Sequence, residues 1–395
     1  MTQQSPLDDI SPIAANLEVS TIRSIANFGM TQEDVIPLWF GESDIVTPDF
    51  IRQAAAASLE KGETLYTPNN GLPVLREALA QYQTRLFARE YSQDNIVVTV
   101  SGTNAVMLAA QTVVTPGDKV VVITPAFPTL MAIPKLLGAN VVEFPLTQVD
   151  GRFELELDAL FLELKDARAL VINSPANPTG WMASKQQVAA IAEYSRQNGV
   201  WILSDEVYNR HVYEGESAPS FAEFLREDDR IIICNSFSKA WCMTGWRLGW
   251  LTLPTILTPT ITKLIEFNVS CAPAFIQAAG VAAVTQGEQF LFDTRARFEH
   301  SRQMVFDALH DLEGITLYDM PATFYAFVKV DGMDADSQPY ILDMIREAKV
   351  GVAPGEAFGK AGQGHLRICY GANHENLAVA LSRLRTFILE KQKHA

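Results

Sequence analysis

Short apolar runs rich in β-branched residues alternate with helical segments over most of the chain, and this alternation limits the fold more than any other feature. The runs lie at 96–100, 119–124, 140–144, 169–173, 200–204, 230–235 and 247–253. Strands that are apolar on both faces are typical of a mostly parallel sheet covered by helices on each side. The sequence therefore predicts an α/β protein with a three-layer αβα arrangement around a mostly parallel, seven-stranded sheet.

Helical periodicity fills the intervals. Between Leu72 and Leu86 apolar residues recur at steps of three and four, which predicts an amphipathic helix over 71–89. The segment 184–198 has helical composition and is followed by Gly199, a residue type that commonly ends helices. Strands and helices thus follow one another, as they do in an α/β protein.

The pattern changes after about residue 285. A long charged helical stretch at 287–312 leads into shorter strands and helices, and a chain of 395 residues is natural for two domains. We predict a large domain at 46–285 and a smaller α+β domain at 286–395, which residues 1–45 complete from the other end of the chain.

The charge of the chain argues against two classes of partner. Its 46 acidic and 31 basic residues give a net charge of −15, which repels nucleic acids and anionic membrane surfaces. The amino terminus lacks the basic start and apolar stretch of a signal sequence, and no apolar run approaches the roughly 18 residues of a membrane span. We expect a cytoplasmic protein that binds neither nucleic acid nor membrane.

Cysteines and histidines are scattered along the chain. The four cysteines form no Cys-x-x-Cys pair, and the six histidines have no metal-ligand spacing. We therefore predict neither a metal site nor a disulfide framework.

Residues that directly follow the predicted strands are candidates for function, because ligands of open α/β sheets bind beyond the carboxyl ends of the strands. Ser101-Gly102-Thr103-Asn104 opens a helix after the first run and is suited to phosphate binding, although serine there is also an ordinary helix N-cap. Phe127 follows the second run, where an aromatic ring is either a ligand platform or part of the core.

Two later runs also end in polar residues. Asn177-Pro178-Thr179-Gly180 follows the run at 169–173, and taken by itself this motif is typical of an ordinary turn. Asp205 follows the run at 200–204, and Tyr208 comes three residues later. A carboxylate and a phenol at the end of an apolar strand suggest a site, while a helix N-cap is the alternative for Asp205.

The densest group of reactive residues runs from Ser236 to Gly249. Lys239 and Arg247 lie there among hydroxyl, aromatic and glycine residues rather than in a charge run. A lysine amine in a partly desolvated site can form a Schiff base with an aldehyde cofactor, and arginine has the planar fork suited to phosphate. A surface lysine and a structural arginine are the alternatives for each residue taken singly.

The motifs taken together carry a family resemblance. With Asn177-Pro178-Thr179-Gly180 upstream and His365-Leu366-Arg367-Ile368 downstream, the segment from Ser236 to Gly249 resembles the class I and II aminotransferases of pyridoxal phosphate fold type I. The resemblance covers nearly the whole chain, and the motifs occur in the family's order and spacing. It implies an enzyme that uses pyridoxal 5′-phosphate.

The resemblance implies a role for each matching residue. Lys239 would be the Schiff-base lysine and proton shuttle, and Asp205 would pair with the pyridine nitrogen of the cofactor. Tyr208 and Asn177 would hydrogen-bond the phenolic oxygen of the ring, and Phe127 would stack on its face. The phosphate would be held by Ser101, Gly102, Thr103, Ser236, Ser238 and Arg247.

Substrate and partner contacts are implied in the same way. Arg367 matches the family's anchor for the substrate α-carboxylate, and Gly41 matches a glycine near that carboxylate. Tyr66 matches a tyrosine that reaches the phosphate of the neighbouring subunit, which implies a homodimer with shared active sites. Asn268 lies where the partner chain often borders the site.

One departure from the family pattern bears on the substrate. Asn104 lies in the stretch where prokaryotic aspartate aminotransferases typically carry a lysine for the side-chain carboxylate, which weakens the prediction of dicarboxylate specificity. Another residue, or an arginine of the partner chain, could take that role. Trp39, Phe40 and Phe127 would make the pocket apolar and favour aromatic or hydrophobic amino acids. Cys242 also departs from the pattern, but a small residue there is compatible with cofactor binding.

The sequence thus predicts an aminotransferase that moves the amino group of an L-amino acid to a 2-oxo acid in two half-reactions. The acceptor would be 2-oxoglutarate or pyruvate, and the donor an aromatic or hydrophobic amino acid or aspartate. A β-eliminating carbon–sulfur lyase dependent on the same cofactor is the alternative, since it would share the cofactor-binding residues.

Overall fold

Helices and strands alternate along the computed structural model, which describes residues 9–333 and 335–393. The described helices are α1 Pro12–Ala15, α2 Thr21–Gly29, α3 Asp49–Glu60, α4 Pro73–Phe87, α5 Gly102–Val113, α6 Pro128–Leu136, α7 Leu157–Glu163, α8 Lys185–Asn198, α9 Phe237–Ala240, α10 Thr258–Asn268, α11 Ala274–Gln286, α12 Glu288–Leu309, α13 Gln338–Glu347 and α14 His374–Lys393. The first eight residues, on which part of the signal-sequence and small-domain predictions rests, and His394 lie outside the described residues.

The described strands are β1 Ile36–Pro37, β2 Ile96–Thr99, β3 Lys119–Thr124, β4 Asn140–Pro145, β5 Thr147–Val149, β6 Arg152–Glu154, β7 Ala169–Asn173, β8 Trp201–Asp205, β9 Ile231–Ser236, β10 Gly249–Thr252, β11 Ile315–Leu317, β12 Tyr325–Val330, β13 Val350–Gly351, β14 Ala353–Pro354 and β15 His365–Cys369. Seven of them form the large sheet in the order β2-β10-β9-β8-β7-β3-β4. All neighbours in this sheet are parallel except β10, which is antiparallel to both β2 and β9. The predicted α/β class and the mostly parallel, seven-stranded sheet are confirmed.

Apolar side chains fill both faces of the large sheet. Successive side chains of a strand point to opposite faces. Val120 and Val122 of β3 accordingly belong to one apolar cluster with residues of α5, α6 and α10, while Val121 and Ile123 belong to another with Ile191 of α8. Each fully buried aliphatic side chain of this kind contributes about 1.5–3 kcal/mol, so the continuous apolar runs hold the three layers together.

Local signals set the ends of the helices that cover the sheet. The helix predicted at 184–198 is α8, where Ser184 and Gln187 form a reciprocal capping box. Gly199 ends it with φ of 72°, in the left-handed region that favours glycine. The helix predicted at 71–89 is α4, and it begins at Pro73, a residue type suited to the first helical turn.

The two ends of the described chain meet in a second layer. A four-stranded antiparallel sheet has the order β11-β12-β15-β14, and β1 pairs in parallel with β13, placing Ile36 opposite Val350. Leu38 and Trp39, which follow β1, are buried in the same apolar cluster as Ile368 of β15. This packing supports the prediction that the small domain is formed from both ends of the chain.

Candidate active site

A cavity of about 440 Å³ lies at the carboxyl edge of the large sheet, and residues of both sheets line it. Ligand-binding cavities usually have a volume in this range. Most of the residues singled out from the sequence line it: Phe40, Gly41, Gly102, Thr103, Phe127, Asn177, Asp205, Tyr208, Ser236, Ser238, Lys239, Arg247 and Arg367. The fold thus gathers at one site residues that are spread over more than 300 positions of the sequence.

The lysine of the site lies in α9, directly after β9. Its Nζ donates a hydrogen bond to the carbonyl oxygen of Gly41 and lies 5.9 Å from the centre of the Tyr208 ring. Burial disfavours the ammonium form and lowers the pKa of Lys239 to about 8. An amine with this pKa is neutral often enough near neutral pH to act as nucleophile or base.

The carboxylate of the site is Asp205, the last residue of β8. Its side chain is 8% exposed, and its Oδ1 accepts a hydrogen bond from the Val207 N–H at 3.3 Å. Burial raises the pKa of Asp205 to about 7, while that hydrogen bond and the charge of Lys239 act in the opposite direction. Among the described residues no cation lies within 4.0 Å of this carboxylate, so a bound group with an N–H would improve its environment.

An arginine is buried on the opposite side of the cavity. Arg367, in the middle of β15, is 1% exposed. It donates hydrogen bonds to Asn177 Oδ1 at 3.0 Å and to the carbonyl oxygen of Trp39, and its Nε has no hydrogen-bond partner among the described residues. Its guanidinium lies 4.7 Å from the centre of the Tyr325 ring. A buried cation without a counter-ion favours an anionic ligand, and the planar fork suits a carboxylate.

Two tyrosines connect these groups. The hydroxyls of Tyr208 and Tyr325 are 2.7 Å apart, and both rings are buried, so burial raises the pKa of each phenol. Asn177 is fixed by a hydrogen bond from its own N–H to Asn173 Oδ1 at 2.8 Å. The Tyr208 hydroxyl and the Asn177 amide are therefore held in place as neutral hydrogen-bonding groups on the cavity wall.

A set of donors suited to phosphate lies at the start of α5. Gly102 comes so close to Ser236 that a Cβ on this glycine would lie 3.0 Å from the serine Cβ. Arg247 precedes β10, and because β10 is antiparallel to its neighbours, this arginine also lies at the carboxyl edge of the sheet. The Arg247 side chain is exposed and donates to the carbonyl oxygen of Thr244 at 2.6 Å. Helix start, hydroxyls and guanidinium together form a site for a dianion.

Four predicted residues lie outside the cavity wall. Ser101 Oγ accepts the N–H of Asn104 at 3.1 Å, which is the helix N-cap considered as its alternative. Asn104 in turn donates to Asn268 Oδ1 at 3.1 Å. Tyr66 is 92% exposed on the surface of its own chain. None of these four residues lines the described cavity of one chain.

Several residues of the cavity were not singled out from the sequence, among them one tyrosine, one asparagine and one arginine. Tyr325, Asn173 and Arg23 line it, but Tyr325 belongs to an ordinary apolar strand and Arg23 to a short amphipathic helix. Asn173 ends β7, so the rule that points to residues at strand ends could have identified it.

The model of the family "Aminotransferase class I and II" matches residues 33–384, and the chain belongs to this family. It is 32% identical over 367 residues to an aspartate aminotransferase of Pyrococcus horikoshii, covering 92% of this chain and 93% of that protein. It is 33% identical over 378 residues to aromatic-amino-acid aminotransferase 2 of Thermococcus litoralis, covering 94% and 96%.

A solved structure gives the same result. The crystal structure of an aromatic aminotransferase from Pyrococcus horikoshii matches this fold with a TM-score of 0.85 and 32% identity, over 93% of this chain and 99% of that one. The chain is therefore an aminotransferase, as predicted. The family implies a pyridoxal phosphate cofactor.

The residues present fit that cofactor. Asp205 is a buried carboxylate without a cationic partner among the described residues, which suits a protonated pyridine nitrogen. The start of α5 and Arg247 suit the phosphate, and Lys239 has a lowered pKa that suits covalent attachment. No described helix is long and apolar enough to cross a membrane, and no cluster of metal-ligating residues occurs in the described part of the chain.

Proposed function

We propose that this aminotransferase depends on pyridoxal 5′-phosphate and moves the amino group of an L-amino acid to a 2-oxo acid by a ping-pong mechanism. The observation that carries the proposal is the convergence of Lys239, Asp205 and Arg367 on one cavity. The acceptor would be 2-oxoglutarate or pyruvate. The names of the relatives, aspartate and aromatic-amino-acid aminotransferases, support an aromatic, hydrophobic or acidic amino acid as donor.

The residues would hold the cofactor as follows. Lys239 would bond it covalently, Asp205 would pair with the pyridine nitrogen, and Tyr208 and Asn177 would hydrogen-bond its phenolic oxygen. Phe127, half-exposed at the start of α6, would stack on the ring. The phosphate would be held by Ser101, Gly102, Thr103, Ser236, Ser238 and Arg247, with Ser101 acting mainly by capping α5.

When bound, pyridoxal phosphate supplies a ring that withdraws the electrons released as the substrate Cα–H bond breaks. Arg367 would bind the substrate α-carboxylate near Gly41 and Phe40, which fixes the orientation of that bond. Lys239 Nζ would take the proton from the substrate Cα and deliver it to the cofactor, and in the second half-reaction it would carry a proton back to Cα. Its pKa of about 8 suits both tasks. Asp205 would remain ionised beside the protonated pyridine nitrogen.

We further propose a large cofactor-binding domain at 46–285 and a small domain at 1–45 and 286–395 that brings Arg367 to the site. The pairing of β1 with β13 and the shared apolar cluster support this division. A homodimer is proposed because Tyr66, which matches a tyrosine that reaches the phosphate of the neighbouring subunit, is exposed and does not line the cavity of its own chain. The cytoplasmic location expected from the sequence stays a prediction.

A single variant tests the central assignment. Purified protein loaded with pyridoxal phosphate, treated with borohydride and digested should yield a labelled peptide containing Lys239, and Lys239→Ala should abolish both labelling and amino-group transfer, because no other lysine lines the described cavity. Lys263→Ala, at an exposed lysine of α10, is the matched control and should change neither. A label on another lysine would contradict the assignment. Release of pyruvate and ammonia without an oxo acid acceptor would identify the lyase instead.

A further inference from the structure

One tyrosine of the cavity has no part in the proposed function. Tyr325 is the first residue of β12, in the four-stranded sheet, and it lines the same cavity as Lys239 and Asp205. The residue is 0% exposed, so solvent does not reach its hydroxyl. A phenyl ring would fill nearly the same space without the cost of burying a hydroxyl. The partner of this hydroxyl therefore indicates what the hydroxyl does.

The Tyr325 hydroxyl contacts one other side chain. Its oxygen lies 2.7 Å from the hydroxyl oxygen of Tyr208, and among residues 9–333 and 335–393 neither hydroxyl makes another hydrogen bond. Space for this contact depends on Gly41, because a Cβ at that position would overlap the Tyr325 hydroxyl oxygen. The glycine that the family resemblance places near the substrate carboxylate thus also makes room for the pair of phenols.

Burial determines which phenol of the pair donates. If Tyr208 donated, the Tyr325 proton would be buried without an acceptor, whereas donation by Tyr325 leaves only lone pairs unpaired. The pKa shifts agree with this direction. Burial raises the pKa of both phenols, while the hydrogen bond acts to lower the pKa of Tyr208 and to raise that of Tyr325. Tyr325 is accordingly the donor and Tyr208 the acceptor.

The O–H of Tyr208 is then directed into the cavity. Tyr208 lines the cavity, and the proposed function places the phenolic oxygen of the cofactor beside its hydroxyl. A hydroxyl that accepts one hydrogen bond is polarised and donates its own more strongly. The ring of Tyr325 has a separate contact, since the Arg367 guanidinium lies 4.7 Å from its centre. The ring and the hydroxyl of Tyr325 can therefore be tested independently.

We infer that Tyr325 is a positioning residue whose hydroxyl donates to Tyr208 and thereby fixes the Tyr208 O–H as the donor to the phenolic oxygen of the cofactor. The inference rests on the proposed function and adds to it a residue that acts through Tyr208. A stronger donor to the phenolic oxygen withdraws negative charge from the neighbouring nitrogen that Lys239 contributes, which lowers the pKa of that nitrogen. Tyr325 would thus help to keep it unprotonated near neutral pH.

A spectroscopic titration tests the inference on the protein loaded with pyridoxal phosphate. The visible absorbance of the bound cofactor changes when the Lys239 nitrogen takes up a proton, so a pH series gives its pKa without turnover. Tyr325→Phe removes only the hydroxyl and keeps the ring beside Arg367. It should raise this pKa by about 0.3–0.6 unit, the part of a charge-assisted hydrogen bond that a second bond contributes. Tyr208→Phe should raise it by about one unit or more.

The double variant shows whether Tyr325 acts through Tyr208. Once Tyr208 is phenylalanine, the Tyr325 hydroxyl has lost its acceptor, so Tyr325→Phe should then add less than about 0.2 pKa unit. Equal effects of Tyr325→Phe in the wild type and in the Tyr208→Phe protein would contradict action through Tyr208.

Tyr370 provides the matched control. It is also 0% exposed, and its hydroxyl lies 3.0 Å from that of Tyr213, but neither tyrosine is among the described residues that line the cavity. Tyr370→Phe should leave the cofactor titration unchanged. An unchanged pKa in Tyr325→Phe, or an equal shift in Tyr370→Phe, would overturn the inference. If the wild-type protein transferred no amino group from any amino acid, the proposed function would fail, whereas the titration would still report on Tyr325.

Discussion

At the scale of single residues, burial adjusts the chemistry of the site more than direct charge pairing does. Asp205 and Lys239 both have a pKa moved toward neutrality, and desolvation is the largest cause for each. A protein that only had to be stable would pair or expose such groups. Retaining them buried is typical of functional sites, where a bound group completes their environment.

The raised pKa of Asp205 predicts the direction in which the stability of the cofactor-free protein changes with pH. Between the unfolded pKa of about 3.9 and the folded pKa of about 7, the native protein holds a proton that the unfolded chain has lost. Stability in the absence of cofactor should therefore fall as pH rises through this window. At about 1.36 kcal/mol for each pKa unit, the penalty from Asp205 is about 4 kcal/mol.

Asp205→Asn removes this titration. Urea unfolding of cofactor-stripped protein at pH 5 and pH 8 should show the variant gaining stability relative to wild type as pH rises. Reloading the wild type with pyridoxal phosphate should reduce the difference, since the pyridine N–H would pair with the ionised carboxylate. Parallel pH dependence of the two stripped proteins would show that Asp205 does not hold this proton.

At the scale of elements, the antiparallel strand β10 shapes the phosphate end of the cavity. Gly249, its first residue, lies opposite both Thr99 and Ser236. A Cβ on Gly249 would lie 2.7 Å from the carbonyl carbon of Ser101 and 2.8 Å from the nitrogen of Gly102. Ser101 itself adopts φ of 140°, a region that non-glycine residues rarely occupy. The start of α5 therefore packs closely against β9 and β10, and its backbone is strained at Ser101.

Gly249→Ala should displace the start of α5. We expect a loss of about 1–3 kcal/mol of stability from overpacking and an affinity for pyridoxal phosphate at least tenfold lower, measured by urea unfolding and by cofactor titration. Gly245→Ala is the matched control from the same segment, because a Cβ there meets nothing within 4 Å; it should stay within about 0.5 kcal/mol of wild type. Equal behaviour of the two variants would show that the close approach of β10 does not position the phosphate site.

At the scale of the whole molecule, one exposed apolar surface marks the proposed dimer contact. The tyrosine face consists of Leu65, Tyr66, Phe267 and Val269, of which Tyr66 and Phe267 are more than 90% exposed. Thr67 Oγ1 donates to the carbonyl oxygen of Ala272 at 3.1 Å, which joins the two segments of the face. Isolated apolar residues on a surface are ordinary, but a group of four suggests an interface.

The tyrosine face also lies near the phosphate end of its own chain, since Asn268 accepts from Asn104 at the start of α5. In a two-fold dimer the same surface meets itself, so Tyr66 of each chain would face the phosphate site of the other. Dimerisation and cofactor binding should then be coupled.

Phe267→Asp should dissociate the dimer and weaken pyridoxal phosphate binding at the same time, because a desolvated carboxylate opposes association. Light scattering after size-exclusion chromatography and cofactor titration would measure the two effects. Val379→Asp, at an exposed residue of α14, should remain dimeric. If Phe267→Asp stays dimeric, or if the wild type is monomeric at micromolar concentration, the tyrosine face is not the dimer contact.

The sequence alone determined the α/β class, the strands of the large sheet and the residues at their carboxyl ends, because apolar periodicity and turn chemistry are local properties of the chain. Asp205, Lys239 and Arg247 could be identified from their neighbours in sequence. Their individual alternatives were resolved only by the family resemblance.

Only the tertiary structure decided which distant residues share the cavity. The contact between the Arg23 side chain and Phe40, the hydrogen bond between Tyr208 and Tyr325, and the unpartnered Nε of Arg367 depend on how both ends of the chain pack against the large sheet. The reversed direction of β10, and the burial that moves the pKa of Lys239, have the same origin. Such properties arise from contacts between residues far apart in sequence, and no local pattern encodes them.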